Sequence, residues 1–384
     1  MSAKTRRLAA AVFGLVLAGA LLGWLVRPAP PRYTVTDLGV LPGDTVSGAS
    51  GLNSRGEVVG LSGSGRLDTR HSFLYRDGVM TDLGLFGLIG SHDGPVINDS
   101  GQITGVLRAV RAPRRGFHAD AFLYSGGRMR DLGTLPGCSL SIGNGINGRG
   151  QIVGNAMMGG SVVEHAFLYS GGRMTDIGTL PGYAGALPTG INAVGQIVGY
   201  SEPRSMFGIQ AFVYDSRTRK MTALATPPGF TNSLAFGVND QGQIIGGAVG
   251  SAVSFSDERG HALLWAGGRV TDLGTLPGLD SASGAAINNR GVAVGTAWSR
   301  PNRLSQLVND HPIRLKPLLP LFEPRMTSRA FVYSGGRMQN LNELIPARSG
   351  WTLEKATGIN DRGQIVGQGL HHGQERAFLL TPVR

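Results

Sequence analysis

The stretch GINGRGQIVG (residues 145–154), followed after a short linker by HAFLYSGGRMTDIGTLPG (residues 165–182), decides how this chain is read. Nearly everything after residue 32 copies it. The asparagine of its G-[IVL]-N element returns as Asn53, Asn98, Asn147, Asn192, Asn239, Asn288 and Asn360, at spacings of 45, 49, 45, 47, 49 and 72. The aromatic or leucine of its second element returns as Phe73, Phe122, Phe167, Phe212, Leu263, Phe331 and Phe378. A period in the range of about 20–50 residues marks a repeat architecture, in which one unit cannot bury its own apolar faces and must stack on its neighbours.

Each unit reads as four strands: the segment ending in GIN, then QIVG, then AFLY, then RMTDIG. Short Gly-bearing turns join the first to the second and the third to the fourth, as hairpins require where a residue takes positive φ. No stretch after residue 32 sustains a helical period. Before the first GLN element stands only YTVTDLG (residues 33–39), which matches a fourth strand. After the last QIVG stands only RAFLL (residues 376–380), which matches a third. The expectation is therefore an all-β chain, a seven-bladed β-propeller of four-stranded antiparallel blades, closed by pairing of the N-terminal strand 33–39 with the C-terminal strand 376–380. A parallel solenoid and a six- or eight-blade count are the alternatives.

The motif resembles the HAF repeat, a bacterial motif described as a probable extracellular repeat. The resemblance covers residues 33–384 almost entirely. His71, His165 and His261 hold its first position and His118 lies just ahead of it, whereas Gln210, Arg329 and Arg376 replace the histidine elsewhere. The resemblance implies export and repetition. It carries no established activity to transfer to residues here.

Residues 1–32 form the second region. Lys4, Arg6 and Arg7 precede an apolar run over residues 8–26, closed by Arg27 and prolines. At the helical rise, a run of that length spans about 28 Å, close to a hydrocarbon core. A single transmembrane anchor and a cleaved signal peptide share this grammar, and both stay open. Either sends the 33–384 body out of the cytoplasm, to a periplasmic or extracellular location with or without an inner-membrane tether.

Composition agrees with a turn-rich exported body. There are 61 glycines and 20 prolines in 384 residues, and the single cysteine, Cys138, allows no disulfide within the chain. The net charge is +11, but five basic residues and no acidic one precede position 33, which leaves the body at +6. That is modest for its size, and nucleic acid is not an expected partner.

The repeated polar residues have structural readings. The GIN asparagines sit where their side chains bond the backbone of the following turn. The TDLG aspartates read as strand-end hydrogen bonders and the repeat histidines as edge packing. NDQG (residues 239–242) and NDRG (residues 360–363) lack the carboxylates that Ca²⁺ needs. Neither metal nor cofactor is expected.

Function is sought where copies differ. Three links between second and third strands stand out. One carries Arg108, Arg111, Arg114 and Arg115. The insertion 297–329 carries Arg300, Arg303, Arg314 and Lys316, with an apolar run (residues 318–322) able to rest on a membrane. The last link, residues 368–375, carries His371 and His372. These ten residues are the candidate ligand set for an anionic glycan, a lipid headgroup or an acidic protein surface. No esterase elbow, zinc-protease or phosphate-loop motif is present. The leading reading is a non-enzymatic binding or scaffold module. The alternative is a carbohydrate-active lyase or hydrolase at the channel mouth, drawing on His371, His372, His311 and His92 with Asp310 or Asp93. Oligomeric state is not legible.

Overall fold

The computed structural model describes residues 32–64, 70–84, 94–108, 119–158, 163–204, 208–250, 259–299 and 327–383. Among them the chain is all-β, relieved by a 3₁₀ turn at Leu341–Glu343. The opening stretch forms four consecutive antiparallel strands, Leu140–Ile146, Ile152–Met157, Glu164–Ser170 and Arg173–Asp176. The first turn follows from its sequence: Gly150 takes φ 72° and donates its N–H to the Asn147 carbonyl at 3.0 Å.

The strands form six sheets, not the seven separate ones expected. Five have four strands. The sixth has eight, because Leu140 of the Asn147 repeat pairs in parallel with Ala119 of the repeat before it, fusing two four-stranded groups through one residue pair. Tyr33–Asp37 pairs antiparallel with Gln374–Pro382 in register Val35↔Leu380. The N-terminal strand stops short of the expected residue 39, because Gly39 turns at φ 78° and donates to the Asp37 carboxylate at 2.8 Å.

A bulge explains the glycine of QIVG. The inner strand slips register between Gly143 and Gly145, which drives the Ile142 carbonyl over Gly154. A Cβ at Gly154 would lie 1.8 Å from that oxygen and 2.8 Å from Phe167 Cζ. The same crowding recurs at Gly60, Gly199, Gly246, Gly295 and Gly367, with backbone oxygens at 1.9–2.2 Å.

Apolar residues on both faces of each sheet explain the repetition. Ile152 and Phe167 pack against Ala121 and Leu135 of the preceding repeat, while Val153 and Ala166 pack with Ile197 and Phe212 of the following one. The core thus lies between sheets. Fully burying a side chain such as Phe167 contributes about 1.5–3 kcal/mol, and only a neighbouring sheet can supply the cover.

The GIN asparagines are buried and bind the repeats together. Asn147 Oδ1 accepts from the Arg149 and Gln151 N–H groups, and its Nδ2 donates to Gln151 Oε1 and to the Asn192 carbonyl at 3.1 Å. Every GIN asparagine donates to the carbonyl of the next. The bonds run Asn53 to Asn98, Asn147, Asn192, Asn239, Asn288 and Asn360, and Asn360 Nδ2 donates back to Asn53 O at 3.0 Å. The inner strands converge beside this cycle, where a Cβ on Gly145 would come within 3.2 Å of Gly190 Cα.

One residue beside the cycle is charged. Glu57 stands where five other repeats carry Gln and one carries Val292, accepts from Asn53, and pairs with Arg55 and Arg76 at 2.5 Å each. Burial would raise its carboxyl. The hydrogen bonds from Arg55 and Asn53 and the charges of both arginines outweigh that and hold it below the ordinary glutamate value. A carboxyl depressed in the folded state stabilises the fold at neutral pH and loses that contribution as pH falls below about 4.3. The melting temperature of the wild type is therefore expected to exceed that of Glu57→Gln at pH 7, with the gap closing in acid; a gap independent of pH would contradict this.

Candidate functional site

Each sheet has two ends. At one lie the tight turns from first to second and third to fourth strand; Arg76 and Glu57, from two such turns, meet there. At the other lie the longer links.

Arg111, Arg114, Arg115, Arg300, Arg303, Arg314 and Lys316 lie outside the described residues, as do His92, Asp93, Asp310, His311 and the run 318–322. Arg108 ends the strand Ile103–Arg108, paired with Ala119. His371 and His372 are described, and they correct an expectation. Residues 368–375 are not a long link. The strands Ile365–His371 and Gln374–Pro382 run up to a two-residue turn in which His372 (φ 49°) and Gly373 (φ 82°) both take the left-handed region, the geometry of a tight hairpin.

His371 stacks on Trp351 at 4.7 Å and 4°, and its Nδ1 lies 2.7 Å from Asp37 Oδ2. The repeat histidines make the same kind of pair within their own sheets: His71 with Asp82, His165 with Asp176 and His261 with Asp272. The TDLG aspartates each also accept an N–H two residues on, as Asp176 does from Gly178 at 2.8 Å. In the closing sheet Arg376 occupies the histidine position and bonds the Thr45 carbonyl, so His371, from the neighbouring strand, reaches Asp37 instead.

Beside this cluster, at the link end, an open cleft of about 780 Å³ runs between the Asn288, Asn360 and Asn53 repeats. Thr327, Ser328 and Arg329 line it from the Asn288 repeat, Thr352, Glu354, Gln374 and Glu375 from the Asn360 repeat, and Thr45 from the Asn53 repeat. Glu375 is held by the Gln368 side chain. The lining is hydroxyl, amide and carboxylate with one guanidinium, and Val46 and Leu370 supply its aliphatic surface.

Glu354 reaches the cleft through a second bulge. Register slips between Leu353 and Lys355 as well as between Ala356 and Gly358, whereas the inner strands of the other described repeats that show a slip show one. The extra residue is Glu354, and bulges re-aim side chains next to functional sites. Its mark in the sequence is an acidic residue six positions before the GIN asparagine, where the other repeats place Ser47, His92, Ser141, Ala186, Ser233 and Ala282.

No family model matches the chain, and no curated protein matches it. Among solved structures it is similar to oligogalacturonate lyase in complex with manganese, with 12% identity over 93% of this chain and 97% of that one and a TM-score of 0.53. It is also similar to the β-propeller domain of the Trilobed protease from Pyrococcus furiosus (10% identity, 73% and 79% covered, TM-score 0.46) and to TolB from Acinetobacter baumannii (13% identity, 81% and 76% covered, TM-score 0.43). The fold is a β-propeller. The likeness is one of fold, and the four-stranded sheets are its blades. The apolar run 8–26 lies outside the described residues, and no described helix is long and apolar enough to cross a membrane.

Proposed function

We propose that this chain is an extracytoplasmic binding module, a closed seven-bladed propeller that holds a glycan in the Glu354 cleft. Seven blades are supported by the closed cycle of seven asparagines, by the Tyr33–Asp37 pairing with the last strand, and by the single residue pair that fuses the eight-stranded sheet. Export is supported by the basic-then-apolar leader.

The observation that carries the binding reading is the second bulge, which puts Glu354 into a cleft already lined by Thr327, Ser328, Thr352 and Gln374. A polyhydroxylated ligand matches such a set of donors and acceptors. Two carboxylates against one guanidinium make this cleft a better fit for a neutral glycan than for an anionic one. Arg108, Arg111, Arg114, Arg115, Arg300, Arg303, Arg314 and Lys316 remain proposed contacts for an anionic or protein partner, and His371 with His372 flanks the cleft.

Titration calorimetry of a panel of neutral and uronic-acid oligosaccharides tests the reading. Hydrogen bonds to charged groups contribute about 1.5–3 kcal/mol, so Arg329→Ala and Glu354→Gln are each expected to weaken the best neutral ligand by about 10–100-fold. No saturable binding across the panel, or binding indifferent to both variants, would sink it.

Glu354 and Glu375 in one cleft also keep hydrolysis in view, because glycoside hydrolysis uses a pair of carboxyl groups. Chromatography of the oligosaccharides after incubation separates the readings: intact recovery supports binding, whereas shorter products lost in Glu354→Gln support an enzyme.

A further inference from the structure

At the tight-turn end exposed basic residues outnumber the acidic ones, Asp77, Asp99, Asp240 and Asp361 among them. The outer strand of the repeat begins with a basic residue at the tight-turn end and finishes with an acidic one at the link end, as in Arg128–Asp131, Arg173–Asp176 and Arg269–Gly274 with its Asp272. Lys220 and Arg337 begin two further outer strands. Arg55, Arg149, Arg290 and Arg362 form an inner row from the first-to-second-strand turns, and both rows are exposed. Among the described residues Arg128, Arg173, Arg269 and Arg337 form no ion pair. The link end carries both signs: Asp37, Asp82, Asp176, Asp272, Glu354 and Glu375 stand there with Arg329 and Arg376, and the link sequences add Arg108, Arg111, Arg114, Arg115, Arg300, Arg303, Arg314 and Lys316.

The chain enters the propeller at the basic end. Tyr33 pairs with Pro382, and Pro382 lies against Gly363 of a tight turn, so Arg32 stands at the rim of that face. Only RPAPP (residues 27–31) separates Arg32 from the apolar run 8–26. A proline-rich spacer of that length reaches about 16 Å at roughly 3.1 Å per residue, about two Debye lengths at physiological salt.

We propose that the tight-turn face of the propeller docks on a bilayer surface rich in anionic phospholipid, with the arginine rows on the headgroups and the Glu354 cleft facing away. Charge complementarity and the short spacer lead to the same face. A bilayer-facing turn end leaves the cleft open to a soluble ligand.

The test uses the full chain in nanodiscs of phosphatidylcholine alone or mixed with phosphatidylglycerol. A donor dye is placed at the turn end (Ser170→Cys) or the link end (Pro181→Cys), each with Cys138→Ser, and energy transfer is read to headgroup-labelled lipid. Greater transfer from the turn-end label is expected in the mixed discs, and the contrast should shrink in phosphatidylcholine alone and at high salt. Each arginine at an anionic leaflet weights the docked orientation by about fivefold. Replacing Arg128, Arg173, Arg269 and Arg337 together by Gln should therefore reduce the docked-to-undocked ratio by about two to three orders of magnitude, with the melting temperature unchanged because these side chains are exposed. Equal transfer from both labels, a link-end label nearer the lipid, or a contrast indifferent to phosphatidylglycerol or to the four substitutions would overturn the proposal. So would lipid-independent capture of a soluble anionic polysaccharide by this face.

Discussion

Asn147→Ala is expected to destabilise the protein by about 3 kcal/mol or more, a loss far beyond that of an ordinary polar substitution. The residue is 4% exposed and uses its whole amide. Truncation leaves the Arg149 and Gln151 N–H groups without their acceptor and takes from the Asn192 carbonyl one of its two donors, leaving the Gly195 N–H. Each buried orphan costs about 1–3 kcal/mol. Asn147→Asp is the sharper variant, because it keeps the two accepted bonds but sets carboxylate oxygens against the Asn192 carbonyl and Gln151 Oε1, where donors stood. Denaturant titration measures both. A loss below about 1 kcal/mol for the alanine variant would mean that the asparagine cycle does not hold the repeats together.

Gly154→Ala is expected to cost more than about 3 kcal/mol, at or above the upper end for overpacking, although it adds a single methyl group. Most overpacked sites relax by moving a side chain. Here the nearest atom is the Ile142 carbonyl oxygen, 1.8 Å from the new Cβ, and it is fixed by the bulge that the inner strand makes against Ile152–Met157. Phe167, at 2.8 Å, is fully buried against the preceding sheet and has no room to withdraw. Gly172→Ala is the control. It lies in a third-to-fourth-strand turn at φ 84° with open space around it, so it bears only the left-handed backbone cost, about 1 kcal/mol. Similar losses at the two positions would show that glycine's flexibility, rather than the bulge, fixes position 154.

Much of this architecture was legible because repetition multiplies a weak local signal. The strand order of residues 140–176 follows from turn glycines and paired apolar residues, and the complementary ends of the chain foretold the pairing of Tyr33–Asp37 with Gln374–Pro382. What was missed lies between repeats or against the period. Spacing placed Asn147 ahead of a turn, but periodicity describes one sheet and says nothing of a side chain that reaches the carbonyl of the next. The Leu140↔Ala119 contact, which merges two sheets, has no sequence mark at all. His371 and His372 read as a loop because the glycine of a two-residue turn sits third, after a histidine that itself takes positive φ. Glu354 is the one acidic residue at a position where the other copies carry Ser, Ala or His, a weaker mark than the clustered arginines of the links. The arginine of GGRM has no meaning within one copy; the fold brings its copies to one end.

The cleft itself is tested most directly by hydrogen–deuterium exchange of the full chain with and without its best-binding oligosaccharide. Ligand-dependent protection is expected in residues 327–329, 352–354 and 370–375, and none in the tight turns around Asn147, Asn192 and Asn239. Protection confined to those turns, or spread evenly over the seven repeats, would contradict the assignment of recognition to the place where the copies diverge.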